Sequence, residues 1–142
     1  MEQQETKESP YVFDASSLIN LERQDRLWHL SEHGDLVVIH QRIAKEVTKN
    51  PRSGLAGWIT KHPSSITYTF LPQESELYIR LRQQKSPKIH DPEAIAIAIA
   101  WYRKGFLVCD DNSALQKANH HDVACLTANE FIEKIEPQMF QP

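Results

Sequence analysis

The segment "HDPEAIAIAIAW", residues 90–101, constrains the fold more than any other stretch. From Ala94 to Ala100 isoleucine alternates with alanine, which by period alone reads as a strand. Its opening argues for a helix. Asp91 is a favoured N-cap, Pro92 suits the first helical position, and Glu93 suits the positive end of the helix dipole. Alanine is also the best helix former and a poor strand former. The expected element is a helix apolar on several sides, and a helix of that kind is buried. A buried helix that begins with two carboxylates is unusual enough to need a reason.

The surroundings supply the layers that would bury it. Strand-like runs at 11–13 ("YVF"), 36–39 ("LVVI"), 66–70 ("ITYTF"), 106–109 ("FLVC") and 123–126 ("VACL") alternate with helix-like runs. The helical runs are "SSLINLERQ", "RLWHLSEH", "QRIAKEVTK", "SGLAGWITKH", "QESELYIRLRQQ", the opening segment up to Gly105, "NSALQKANH" and "ANEFIEKI". The run at 66–70 reads as an edge strand, and Gly105 as the cap that ends the apolar helix. Such alternation implies an α/β fold, three layers deep, around a mainly parallel sheet of four to five strands. A chain of 142 residues makes one domain of this kind. Residues 1–10 read as a disordered tail, 11–136 as the domain and 137–142 as a C-terminal tail.

Parallel sheets bind ligands at the carboxyl ends of their strands, and the acids collect there. Asp14 follows "YVF" and Asp110–Asp111 follow "FLVC". Asp91 and Glu93 head the buried helix, and Glu46 lies on the helix after "LVVI", beside Ile43, Ala44 and Val47 on its expected inner face. Crowded like charges are costly unless something neutralises them, and a hard cation such as Mg²⁺ or Mn²⁺ is the natural partner. Carboxylate-held metals suit phosphodiester hydrolysis.

Singly, each acid has an ordinary explanation. Asp14 and Asp91 could cap helices, Glu46 could be a solvated helix residue, and Asp110–Asp111 could be a strand-to-helix turn. Together, "YVFDASSLINL", "IAKEV", "DPEAIAIAIA" and "LVCDDNSALQKA" resemble, in order, the four motifs of PIN-domain nucleases, over about residues 11–132. That resemblance implies a Mg²⁺- or Mn²⁺-dependent endoribonuclease, similar to the toxin of VapC-type toxin–antitoxin pairs. It places Asp14, Glu46, Asp91 or Glu93, and Asp111 around the metal, with Asp110 a ligand or a neighbour. It also implies an RNA substrate, a small antitoxin partner and a homodimer. Cys109 stands where the family often has Thr or Ser, which implies one polar support fewer.

The main rival is a PIN-like metal- or protein-binding module without catalysis. A dehalogenase-like phosphotransferase would need a second Asp where Ser16 stands, and a receiver domain carries its Asp pair after the first strand. A net charge of −3 does not suggest a protein that coats nucleic acid electrostatically, so any such contact must come from a local patch or through metal. The basic stretch "IRLRQQKSPK", with Arg80, Arg82, Lys85 and Lys88, is either a solvated face or such a patch. His120–His121–Asp122 lacks a second cluster at zinc spacing and reads as a surface turn. Trp28, Trp58 and Trp101 read as core or interface. Cys109 and Cys125, in apolar runs, read as buried inert thiols, and with no membrane-length or signal-like segment a cytoplasmic location is expected.

Overall fold

Tyr11, Val12 and Phe13 are all buried, which a strand achieves only when both faces of its sheet are covered. In the computed structural model, which describes residues 9–85 and 88–139, this strand, β1 (Tyr11–Phe13), is central. It is joined by β2 (Val37–His40), β3 (Ile66–Thr67), β4 (Phe106–Val108) and β5 (Ala124–Leu126) in one all-parallel sheet of order β3-β2-β1-β4-β5. The chain builds outward from β1 to β3, then returns to the other side of β1 for β4 and β5. The crevice between β1 and β4 is therefore the switch point at which open α/β sheets hold ligands.

The helices are α1 (Ala15–Arg23), α2 (Trp28–Glu32), α3 (Gln41–Val47), α4 (Gly54–Lys61), α5 (Pro72–Gln83), α6 (Asp91–Tyr102), α7 (Asn112–His120) and α8 (Ala128–Met139). Tyr11 and Phe13 share one sheet face, and both meet Phe131 of α8 edge-on, at 5.0 and 5.1 Å between ring centroids. The helix α1 packs on α3, α4 and α8, while α6 packs on α5 and lies against β1 and β4. The α/β fold is as the sequence implies. The C-terminal tail is shorter than expected, since α8 runs to Met139. Residues 1–8 of the expected N-terminal tail lie outside the described residues, and so do 140–142.

The alternating segment is a helix, and Ala94 through Ala100 are all buried. Ile95 and Ile99 share one side and Ile97 lies on the other, so the helix is gripped from opposite directions. Each buried isoleucine contributes about 1.5–3 kcal/mol. Its start differs from expectation by one residue. His90 is the extended N-cap (φ −72°, ψ 156°), and Asp91 is already helical, because its carboxylate turns outward to neighbouring side chains instead of back onto the helix N–H groups. β3 is also shorter than expected, since Phe70 leaves the ladder to stack between His40 and Tyr78. Of the tryptophans Trp58 is buried, whereas Trp28 and Trp101 are about half exposed.

Gly105 has a different role from the helix cap expected of it. The left-handed position after α6 belongs to Lys104 (φ 52°), and Gly105 N donates to Ala100 O at 2.9 Å, closing a Schellman turn. A Cβ on Gly105 would lie 2.5 Å from the Pro10 carbonyl oxygen, which accepts from Phe106 N. Gly105→Ala is therefore expected to lower stability by about 1–3 kcal/mol through overpacking. Gly57→Ala, in an exposed helical position with nothing within 4 Å of the added Cβ, should raise it by about 0.5–1 kcal/mol. Urea unfolding of the two variants beside wild type checks both signs.

Candidate acidic site at the strand switch

Asp14 emerges from β1 in extended conformation (φ −97°, ψ 176°) and caps α1, its Oδ1 accepting from Ser17 N at 3.0 Å. Its own N–H donates to Val108 O at 3.2 Å, so the β1–β4 pairing continues one residue beyond the strand. The buried Ser17 hydroxyl lies 2.6 Å from the same carbonyl. Ser16 joins the two strand ends. Its hydroxyl donates to the Asp14 carboxylate, 2.9 Å from Oδ1 and 3.0 Å from Oδ2, and accepts from Asp110 N at 3.0 Å.

Asp110 spends one oxygen on each of two elements. Oδ2 accepts from Asn20 Nδ2 of α1 at 2.8 Å, and Oδ1 from Ala128 N at 2.9 Å, one of the N–H groups that a helix start leaves unpaired. Asp111 is exposed and caps α7 through Ser113 N at 2.9 Å. Asp14 and Asp110 are thus linked through Ser16 at the switch, and Asp111 follows on the same strand-to-helix turn.

Cys109 is fully buried between them, and it does not remove a support from Asp14 as expected. Its Sγ lies 2.7 Å from Asp14 Oδ2 and donates to it, while Asp111 N donates back to the sulfur at 3.4 Å. Burial first, then the negative charge of Asp14 and the hydrogen bond to it, push the thiol well above its ordinary pKa. The neutral thiol does the work of a hydroxyl.

The other candidate acids stand apart. Glu46 is exposed rather than inward; Ile43, Ala44 and Val47 form the buried stripe of α3 and residue 46 falls beside it. It has no hydrogen-bond or ion-pair partner among the described residues. Asp91 is held by Arg42 of α3 and the Tyr78 hydroxyl of α5, with Arg82 Nε at 3.5 Å. Glu93 pairs with Lys117 of α7 at 3.0 Å, both side chains largely buried. Within the basic stretch Arg82 also ties down Ile89 O at 2.9 Å, whereas Arg80, Lys85 and Lys88 are exposed.

Among the described residues no three His, Cys, Asp or Glu side chains gather closely enough to hold a metal ion by themselves. Mg²⁺ does not require such a cage, because it is commonly bound by one or two carboxylates together with waters and substrate phosphate. Asp14 with Asp110 or Asp111 offers that hard-oxygen donor set. Sequence reasoning missed Asn20 and Lys117, and it missed the donor role of Ser16. Ser16 and Asn20, four apart on one helix face beside a key Asp, carried a readable signal. Lys117 carried none.

The thiol gives a pH test. The folded state keeps Cys109 neutral, while in the unfolded chain it ionises near its ordinary value of 9.0. Above that pH only the unfolded state loses this proton, so stability falls by up to about 1.4 kcal/mol per pH unit. Cys109→Ser, which cannot ionise but still donates, should show a shallower alkaline decline in denaturant unfolding. Cys109→Ala should be less stable than Cys109→Ser at neutral pH by about 1–2 kcal/mol, because the Asp14 oxygen loses its donor.

The fold agrees with comparisons to known proteins. The DUF3368 family model, which describes a PIN domain, matches residues 10–127. Among solved structures the chain is similar to PAE2754 from Pyrobaculum aerophilum, with a TM-score of 0.63 at 18% identity, covering 93% of this chain and 100% of that one. No curated protein sequence matches significantly. The chain belongs to the PIN-domain family.

Proposed function

We propose that this nuclease-type module is a divalent-metal-dependent endoribonuclease, similar in role to the toxin of a type II toxin–antitoxin pair. The observation that supports the reading is the Ser16 hydroxyl that bridges the Asp14 carboxylate to the Asp110 backbone at the β1/β4 switch of a PIN domain. Mg²⁺ or Mn²⁺ would be held by Asp14 with Asp110 or Asp111, and there it would supply positive charge to a scissile phosphate and to an attacking water. We assign Glu93 as the third acid in preference to Asp91, which two guanidinium groups and a tyrosine hydroxyl already share. Glu46 is the remaining candidate, exposed in the last turn of α3.

The chain's own groups fix these acids. Ser16, Ser17 and Cys109 leave the Asp14 carboxylate little freedom to rotate, and Asn20 with the start of α8 does the same for Asp110. Such preorganisation lowers the cost of holding the carboxylates in place around a cation. Lys117 holds Glu93 and neutralises it until another cation competes. A small antitoxin partner, a homodimer and a cytoplasmic setting belong to the same proposal and rest on the family resemblance.

A second reading, a non-catalytic binding module, is favoured by one observation: Asp91 and Glu93 already have protein cations as partners. RNA cleavage assays separate the two. Wild type should cleave single-stranded RNA in Mn²⁺ and not in chelator, and Asp14→Asn should lose more than about 100-fold in rate, beyond the effect of removing an outer-shell partner. Glu93→Gln should lose activity comparably, and Asp91→Asn less. A folded Asp14→Asn protein with full activity, or a wild type inert in Mn²⁺, would overturn the nuclease reading.

A further inference from the structure

A second feature occupies the same sheet edge as the acids, and the proposed chemistry does not use it. Between α3, α5 and the start of α6 lies a cleft of about 450 Å³ lined by Arg42, Lys45, Phe70, Tyr78 and Asp91. Its position follows from the topology. His40 ends β2, Phe70 follows β3, and Asp91 opens α6, so each stands at the carboxyl edge. Because β2 is the direct neighbour of β1, the cleft adjoins the end of the sheet that carries Asp14.

Its lining combines cations with aromatic rings. The whole chain has a net charge of −3, yet here Arg42 and Arg82 pair with one carboxylate, Asp91, and Lys45 lines the same cleft. Arg42 is 59% exposed, so its remaining donors face solvent beyond Asp91. Lys45 is exposed, without a hydrogen-bond or ion-pair partner among the described residues. Beside them His40, Phe70 and Tyr78 form a three-ring slab, with centroids 5.1 and 4.9 Å apart and planes within 30°. The slab is rigid. His40 Nδ1 accepts from Arg42 N at 3.1 Å, and burial lowers the pKa of that ring, keeping it neutral for this role.

We infer that this cleft seats one nucleotide of a single-stranded RNA next to the acidic site, its phosphate on Arg42 and Lys45 and its base against the Phe70–Tyr78 wall. Single strands expose the base faces and edges that such a wall can meet, whereas a duplex buries them. A volume of about 450 Å³ suits a small-molecule-sized group and not a folded partner. In this arrangement Asp91 is a positioning residue: it holds the two guanidinium groups and the Tyr78 hydroxyl in place. That explains why one of the two acids heading the buried helix is spent on cations. The inference deepens the nuclease reading and rests on it for the substrate.

The test is equilibrium binding of a fluorescently labelled, mixed-sequence single-stranded RNA to the full chain in chelator, so that binding is read without cleavage. Lys45→Glu should weaken binding by about tenfold and make it less salt-dependent, because a phosphate contact is lost. Phe70→Leu should weaken it several-fold with the salt dependence unchanged, because the aromatic edge that backs the base, and the support it gives Tyr78, are lost. Circular dichroism reports whether Phe70→Leu folds; Lys45 is exposed, so Lys45→Glu keeps the test decisive if it does not. Wild-type affinity in Lys45→Glu and in folded Phe70→Leu would overturn the cleft and leave the nuclease reading intact. A wild type that binds this RNA through these residues but never cleaves it in Mn²⁺ would overturn the nuclease reading and keep the cleft. If poly-glutamate displaces RNA and itself depends on Lys45 but not on Phe70, the cleft takes acidic protein segments and the RNA assignment falls.

Discussion

The continuation of the β1–β4 pairing past the ends of both strands is the interaction on which the rest depends. Val108 O receives Asp14 N and lies within hydrogen-bond distance of the Ser17 hydroxyl, so one carbonyl fixes where β1 stops and how α1 leaves. Once that junction is set, Ser16 and Cys109 are both directed at the Asp14 carboxylate, and Asp110 lies one hydrogen bond away. Asp110 then passes the constraint on to Asn20 and to the first residue of α8. Strand order, helix departure and acid placement are consequences of the same few bonds.

Much of this was legible because it is written in local terms. Val12 and Phe13 with Asp14 immediately after, and "FLVC" with two acids after it, fix strand ends without knowledge of the partner strand. The "DPE" opening outweighed the alternating isoleucines, since capping and dipole effects act within one turn while the strand period needs a neighbour to have meaning. What stayed hidden is long-range. Nothing in the neighbourhood of Asp91 announces Arg42, forty-nine positions earlier. Nothing near Glu93 announces Lys117. The donor role of Cys109 was illegible for another reason: its residue type suggests an apolar filler, and only proximity to a carboxylate makes the weak S–H bond matter.

The acids fall into two electrostatic classes. Asp14 and Asp110 are stabilised by neutral donors, which tolerate the charge without cancelling it. Asp91 and Glu93 are cancelled by full positive charges from other elements. A site built only from the second class would have little attraction left for a cation, and one built only from the first would repel itself. Placing both classes on one sheet edge leaves a centre that stays negative beside a flank that is positive. A polyanionic strand lying along that edge would meet attraction before it meets the acids.

The contact between Gly105 and Pro10 also determines the direction in which the chain enters the domain. Phe106 N holds the Pro10 carbonyl at the start of β1, at the opposite end of that strand from Asp14. A substitution at Pro10 or Gly105 would therefore act at the rim opposite the acids. The start of β4 acts as the mooring point.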